Sequence, residues 1–455
     1  MARPVASPRL QLFLLGLGTL GVPLDTATNI AFPAITAAFA IPLEDIQWVV
    51  ICYVLTHAGL MLGVGRVGDL FGHARVFRLG LAWSAIAYLL CAAAPSFGAL
   101  IFCRFLQGIG AALILSCGPA LATSLFPESR RARVLGAYAA MLAVGAALGP
   151  SAGGILVQEF GWSAVYWART PAMLLALALL RLPPSRPTCG RPAFDLPGAC
   201  LLALALSLLL LALNRLKGLL DGDLLALALA LASLGAGYAC VRWERLTPSP
   251  VLDLKVFRQG PFAFLSLANV LLNLAGFAVM LLVPYYLARF AALPWYQAGF
   301  VLALSPFGSM LAAPLAGRLL ARTAPYRVAF GGGGILALGL GLIAAWGSEA
   351  SLPSMAAALV LHGIGAGLFQ VAYLEHVTAT MPRADRGVAG SLANVTRTMG
   401  VVTGASLLML LFRSVQSSGP GGDAGFLAGF ASTFGAAAAL CLAVVLLAAW
   451  LGRRR

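Results

Sequence analysis

Apolar runs long enough to cross a bilayer follow one another through this chain with little polar sequence between them. At 1.5 Å of rise per residue, a helix needs about 20 predominantly apolar residues to cross about 30 Å of hydrocarbon. Fourteen runs come to that length, at residues 10–33, 46–64, 76–94, 98–123, 133–157, 163–180, 195–214, 223–241, 262–288, 296–320, 327–347, 353–377, 387–411 and 425–450. The composition leaves no room for a soluble domain: 61% of the residues are hydrophobic and 10% charged, and mean hydropathy is +0.93. A water-exposed surface needs far more charge. The expected fold class is therefore all-α, a polytopic membrane protein embedded in a lipid bilayer. No small-residue cleavage site follows the first run, which reads as a retained span.

The net charge of +15 would suggest a nucleic-acid partner in a soluble protein. Here the basic residues sit in short loops between spans, where they set topology, so no nucleic acid is expected. Placing Arg3 and Arg9 inside puts the clusters at 66–78, 130–133, 181–191, 242–258, 318–327, 383–386 and 453–455 inside as well. The alternate loops hold Arg215, Lys217, Arg289 and Arg413. By the positive-inside rule, both termini are expected in the cytoplasm and the protein in the cell membrane. Eight scattered cysteines read as small core hydrophobes. His57, His73, His362 and His376 have no metal-ligand spacing. No phosphate loop ends in Gly-Lys-Ser or Gly-Lys-Thr, and Gly331–Gly334 opens an apolar span, where glycines let helices approach closely. No cofactor and no enzymatic activity are expected, and energy for uphill work must come from an ion gradient.

Asp25 lies about fifteen residues into the run that starts at Leu10. A charge at that depth costs enough that its first reading is an ion or substrate pathway. Thr28 and Asn29 follow three and four residues later, which gives this helix a polar, wet face. The alternative is a protonated acid that only ties helices together. Arg104 lies some six residues into its span and must snorkel, face a water-filled cavity or meet a carboxylate. Asp25 and Glu159, with Glu44 and Asp45, are the acids placed to meet it. Pairing and burial act in opposite senses on such an acid, which poises it to load and release a proton.

An internal repeat runs through the chain. Gly65-Arg66 with Arg75-Val76 recurs as Gly317-Arg318 with Arg327-Val328, at an offset of 252. Gly108-Ile109-Gly110-Ala111 recurs as Gly363-Ile364-Gly365-Ala366, and Phe126-Pro127 with Arg131 is echoed by Met381-Pro382 with Arg386, both at 255. Parallel repeats with a substrate between them are one common transporter plan. The offset leaves room for two extra spans, so the expected domains are 1–190, 191–258 and 259–455, with six-helix bundles at either end.

Gly65-Arg66-Val67-Gly68-Asp69-Leu70-Phe71-Gly72-His73-Ala74-Arg75-Val76 resembles the loop signature between the second and third spans of the major facilitator superfamily. Leu70 and His73-Ala74 replace the usual basic residues, and the second half has Ala321 where the first has Asp69. Arg104 through Ala112 is similar to the family's fourth-span motif, whose arginine is linked to proton transfer. Gly145-Ala146-Ala147-Leu148-Gly149-Pro150-Ser151-Ala152-Gly153-Gly154 resembles the fifth-span motif characteristic of antiporters. Leu24 through Pro33, Phe194-Asp195, Trp243-Glu244-Arg245, and Asn394 with Arg397 are similar to motifs of the fourteen-span drug:proton antiporter family, a branch of that superfamily. In the sixth span Arg169 stands where that pattern has asparagine, and Ser163 where it has arginine.

The resemblance implies a major facilitator fold with 14 transmembrane helices. It also implies a proton-coupled antiporter that exports amphiphilic small molecules, as drug or metabolite efflux, by alternating access. Asp25 and Arg104 take the proton-coupling role. Gly65, Asp69, Gly72 and Arg75 form a cytoplasmic latch, and Gly145, Gly149, Pro150, Gly153 and Gly154 form a hinge against another helix. Thr28, Asn29, His57, Gln107, Arg169, Glu375, Asn394 and Arg397 are the candidate cavity-lining residues. Glu375 reads equally as a second titrating site or an interface residue. The interior leans positive, which favours neutral, zwitterionic or anionic amphiphiles over multiply charged cations. The partners are then a small amphiphile and a proton, acting on a monomer, with an adaptor protein left open. A facilitator or symporter of a metabolite, and a membrane protein that transports nothing, are the alternatives.

Overall fold

Prolines decide where the first and sixth spans break. The computed structural model describes residues 7–127, 131–180, 195–215, 222–247, 260–291, 293–380, 386–419 and 421–453. Helix α1 (Pro8–Leu20) starts on Ser7, whose hydroxyl accepts a hydrogen bond from the Leu10 amide. Pro23 then opens a 3-10 turn over Pro23–Thr26, followed by α2 (Ala27–Ile30) and α3 (Phe32–Phe39), the last with Pro33 in its first turn. Proline has no N–H to give a preceding turn, so it starts a helical segment more readily than it continues one. The run expected at 10–33 is thus a jointed rod reaching to Phe39. Likewise the sixth run divides into α8 (Ala164–Trp167) and α9 (Thr170–Leu179), with Pro171 in the first turn of α9.

The remaining helices are α4 (Gln47–Phe71), α5 (His73–Ala92), α6 (Phe97–Ser124), α7 (Arg131–Phe160), α10 (Leu196–Asn214) and α11 (Leu224–Leu246). They continue as α12 (Gly260–Arg289), α13 (Trp295–Leu320), α14 (Pro325–Ala344), α15 (Leu352–Thr380), α16 (Arg386–Ser418) and α17 (Gly422–Arg453). Among the described residues, 11 helices are long and apolar enough to cross a membrane, against the fourteen runs counted in the sequence. Three shorter apolar helices, Gln47–His57, Ala164–Leu179 and Cys200–Leu209, fall on the second, sixth and seventh runs. The molecule is an all-α polytopic membrane protein.

The repeat seen in the sequence reappears as packing. At Gly108 an added Cβ would meet the Tyr53 carbonyl of α4 at 2.8 Å, and at its counterpart Gly363 it would drive into the backbone of Ser305 on α13. Gly110 likewise abuts Ser84 of α5, and Gly365 abuts Gly332 and Leu336 of α14. Membrane helices have no hydrophobic drive to associate, so such backbone contact, through van der Waals packing, is what holds them together. Helices α10 and α11 pack on each other, and α10 also touches α4 and α16 along the seam between the halves.

That seam is closed at one end. A single apolar core runs from α12–α17 across to α3 and the starts of α4 and α6, through Phe32, Ile35, Val49 and Leu100 on one side and Val279, Tyr285, Tyr286 and Leu302 on the other. Thr36 Oγ1 and Tyr285 Oη share a hydrogen bond of 2.7 Å, and the Tyr296 amide donates to Gln158 Oε1 at 3.4 Å. Ile51 packs with Val402 and Ala405 of α16. All of these residues lie in the halves of their spans away from the arginine-rich loops. A second core, containing Leu15, Phe77, Leu81, Ile114 and Met173, stays within α1–α9.

The close contact at Gly363 sets an expectation for stability. Gly363→Ala should lower the thermal unfolding temperature of the purified protein by several degrees, an overpacking cost of about 1–3 kcal/mol. Gly331→Ala, with nothing within 4 Å of an added Cβ, should leave it unchanged or slightly higher. Equal shifts for the two would contradict this packing.

Candidate functional site

The joint in the first span aims Asp25 at α6 instead of leaving it on a smooth helix. Its carboxylate is the hub of a buried polar cluster. Arg104 and Gln107, three residues apart on α6, share one face. Arg104 grips both carboxylate oxygens, Nη1 to Oδ1 at 2.7 Å and Nη2 to Oδ2 at 2.8 Å. Its Nε donates to the Val49 carbonyl at 2.7 Å, and Nη1 also donates to Gln107 Oε1 at 2.8 Å. Gln107 Nε2 donates to Oδ1 at 2.9 Å. Arg169 reaches the same oxygen from the joint between α8 and α9, with Nη1 at 2.8 Å, while its Nε donates to the Val165 carbonyl at 2.8 Å. Thr28 Oγ1 adds a weak contact at 3.4 Å.

Aromatic faces complete the cage. The Arg104 guanidinium lies 4.4 Å from the Tyr53 ring centre, and that of Arg169 lies 4.5 Å from the Tyr88 ring centre. Tyr166 stands between them, at 5.9 Å from Arg104 and 5.3 Å from Arg169. Tyr88 Oη donates to the Gly21 carbonyl at 3.0 Å, which fastens the ring to the joint of the first span. Arg104 and Arg169 are only 1% and 4% exposed, so both are desolvated and the cation–π contacts are each worth about 2 kcal/mol. Two guanidinium charges face one carboxylate, which leaves the cluster at 2 − 1 = +1, and no other acid among the described residues is bonded to either arginine.

The expected hinge lies directly behind Asp25. An added Cβ at Gly145 would meet Pro23 at 2.8 Å, one at Gly149 would strike Thr26, and one at Gly153 would meet the Ala27 Cα at 2.9 Å. Because Pro150 has no N–H, the carbonyl four residues earlier loses its helical partner, and the Thr26 hydroxyl donates to that Ala146 oxygen at 3.1 Å. The other face of the motif meets α13: Gly154 abuts Trp295 and Gly299, and Gly299 abuts the Pro150 carbonyl. The motif was expected to work against one helix. It packs against two, one in each half, because small residues occupy both of its faces.

The remaining sequence candidates are spread out. Thr28 and Asn29 are 1% and 9% exposed, so the wet face expected beside Asp25 is instead packed, the joint having turned those side chains inward. Gln107 and Arg169 are also buried, and both donate to the Asp25 carboxylate. His57 lies with its ring 5.3 Å from Tyr53. Arg397 is exposed and makes no hydrogen bond or ion pair among the described residues. Glu375 is exposed on α15 and is not brought to the cluster, and neither is Glu159, exposed near the end of α7. In the loop signature, Gly72 adopts φ 92°, which separates α4 from α5, and Arg75 is exposed. The side chains of Asp69 and Asn394, and the surroundings of Gly65, lie outside the described residues.

Sequence reasoning missed the tyrosines. Tyr166 was the one with a signal, three residues before Arg169 and so on its face. The C-terminal half carries no charge at the matching place: the repeat offsets map Gln107 to His362 and Tyr53 to Ser305, which simply hydrogen-bond each other at 2.8 Å. No group of three His, Cys, Asp or Glu among the described residues is placed to hold a metal ion.

Known proteins with a similar sequence are resistance and transport proteins. The chain is 31% identical over 398 residues to the puromycin resistance protein of Streptomyces alboniger, covering 84% of this chain and 77% of that one. It is 30% identical to the tetracenomycin C resistance and export protein of Streptomyces glaucescens, covering 89% and 76%. It is 28% identical to a riboflavin transporter of Clostridioides difficile, covering 88% and 87%. In fold it matches the crystal structure of the POT family transporter PepTSo with a TM-score of 0.71 at 16% identity, covering 98% and 99% of the two chains. A bacterial homologue of the lysosomal transporter Spinster, solved in an inward-facing and unoccupied conformation, matches with a TM-score of 0.71 at 17% identity, covering 98% of each. The family model for the Major Facilitator Superfamily matches residues 15–405, and again residues 265–455, so the second half is recognised on its own. With its two-half helical fold, the chain belongs to the major facilitator superfamily and is a membrane transporter, not an enzyme.

Proposed function

We propose that the chain is a proton-coupled antiporter that exports amphiphilic small molecules by alternating access, with Asp25 as the proton carrier and Arg104 as its fixed counter-ion. The observation that carries this reading is a chain of contacts. Asp25 sits in the turn Pro23–Thr26, Thr26 and Ala27 lie on Gly149 and Gly153, and the opposite face of the same motif, at Pro150 and Gly154, bears on Gly299 and Trp295 of the other half. A change in what the carboxylate binds therefore acts on a joint that touches the seam. Oδ1 accepts hydrogen bonds from three nitrogens and Oδ2 from one, and two positive charges face them, so a proton binds more readily once part of this network opens.

The topology proposed with it has fourteen spans, the 11 long helices and the three shorter apolar ones, in two six-helix halves with two extra spans between them. Both termini are cytoplasmic on the charge bias of the loops. The seam then closes on the outer side, with Asp25 paired to Arg104 and Arg169. That is the state expected after a proton has been delivered inside and before a solute is taken up. Apolar walls tolerate many shapes, and the names of the resistance and export relatives favour efflux. The riboflavin transporter among them favours a second reading, transport of a metabolite.

Two measurements test this reading. In proteoliposomes, an imposed pH gradient should accelerate counterflow of an amphiphilic substrate, and Asp25→Asn should abolish the acceleration, a loss of at least about tenfold, while the protein still folds; acceleration that survives the substitution undiminished removes the proposal. For topology, Cys189 in the arginine-rich stretch 181–191 should react with an impermeant maleimide in inside-out vesicles and stay unlabelled in right-side-out ones, and the reverse pattern would invert the assignment.

A further inference from the structure

Arg104 and Arg169 hold the same carboxylate in different ways. Arg104 projects from the unbroken helix α6, makes a two-pronged grip on Asp25 and is anchored to Val49 and Gln107. Arg169 holds Oδ1 end-on through Nη1 alone, and its Nη2 is buried with no hydrogen-bond partner. A guanidinium has five N–H donors, and leaving some idle in a desolvated place costs about 1–3 kcal/mol or more. Two other buried groups without partners stand on the same short segment, Tyr166 Oη and Thr170 Oγ1. Arg169 itself sits at the joint between α8 and α9, where the helix is already interrupted. Three unsatisfied groups within five residues, beside a jointed backbone, fit a guanidinium with a second resting position on those two hydroxyls.

We propose that Arg169 is the positioning residue that expels the proton from Asp25: in the state seen here it holds Oδ1, and in the alternate state it swings toward Tyr166 and Thr170 and takes its positive charge away from the carboxylate, which then binds a proton. This rests on the reading of Asp25 as the proton carrier. Arg104 keeps its grip throughout, because its anchors lie on α4 and α6 and four of its five N–H donors are engaged. Arg169 thus acts as an internal cation that makes proton release into the cytoplasm favourable, and its return to the hydroxyls makes the carboxylate receptive on the other side.

The titratable and charged groups that face Asp25 are few. From α4 they are Tyr53 and His57, from α5 Tyr88 and Cys91, from α6 Arg104, and from the α8 segment Tyr166 and Arg169. The face that α7 presents to the Asp25 turn is made of glycines. Only the two arginines are permanently charged, so removing one has a defined sign.

The test is the pH profile of exchange in proteoliposomes for wild type, Arg169→Asn, Arg169→Lys and Asp25→Asn. Arg169→Asn removes a positive charge bonded to the carboxylate, so the pH midpoint of exchange should rise by about one unit or more. Arg169→Lys keeps the charge and should stay within a few tenths of a unit of wild type. Tyr166→Phe combined with Thr170→Val removes the proposed second resting place and should slow pH-driven exchange severalfold with the midpoint moved down. An unchanged midpoint in folded Arg169→Asn, or an equal shift in Arg169→Lys, overturns the proposal. If Asp25→Asn keeps a normal pH response, the proton-carrier reading itself fails; if it loses the response while Arg169→Asn keeps the wild-type midpoint, only the role of Arg169 fails.

Discussion

A carboxylate held between two guanidinium groups at bilayer depth is the constraint around which the first half of this protein is arranged. Each charge alone would cost at least about 2.5–3.5 kcal/mol at the centre of a membrane helix. Together they become tolerable because both guanidinium groups are hydrogen-bonded to the one carboxylate. Breaking such a buried pair by removing one partner typically costs about 3–5 kcal/mol, because the survivor is left uncompensated. Several otherwise odd features serve that aim: the joint at Gly21–Pro23 that turns Asp25 toward α6, the Val49 carbonyl and Gln107 that complete the Arg104 donors, and the tyrosine faces beneath both arginines.

Around this cluster the fold is built from backbone contacts between small residues. The same Gly–x–Gly pattern seats α6 on α4 and α5 in one half and α15 on α13 and α14 in the other. The glycine- and proline-rich motif of α7 is different in kind, since it has small residues on two faces and lies between the charged turn and the second half. Pro150 contributes through what it lacks: the orphaned Ala146 carbonyl becomes a docking point for Thr26, the residue next to Asp25. Local chemistry at the acid is thereby mechanically continuous with the seam.

The two halves share a plan but not a charge. Where the first half has Tyr53, Gln107 and an acid nearby, the second has Ser305 and His362 bonded to each other, and its core continues across the closed end as an apolar surface. One half thus carries the electrostatic machinery and the other supplies a matching wall. The cluster carries a surplus positive charge, and Arg397 adds an exposed one on α16.

What the amino-acid sequence determined by itself was what depends on short range and on the solvent. Apolar run lengths established an all-α membrane protein, the repeat offsets announced the two halves, and the cost of charge in hydrocarbon singled out Asp25 and Arg104 before their geometry was known. A break such as the one before Arg169 is invisible to hydropathy. Tertiary structure alone decided how the residues meet. It brought Arg169, 144 positions away, onto Asp25, turned Thr28 and Asn29 from an expected wet face into packing, and left Glu375 on an exposed surface far from the cluster. Those outcomes hang on the direction in which a jointed helix points its side chains and on which helix lies opposite, and neither is encoded in the spacing of residues along one segment.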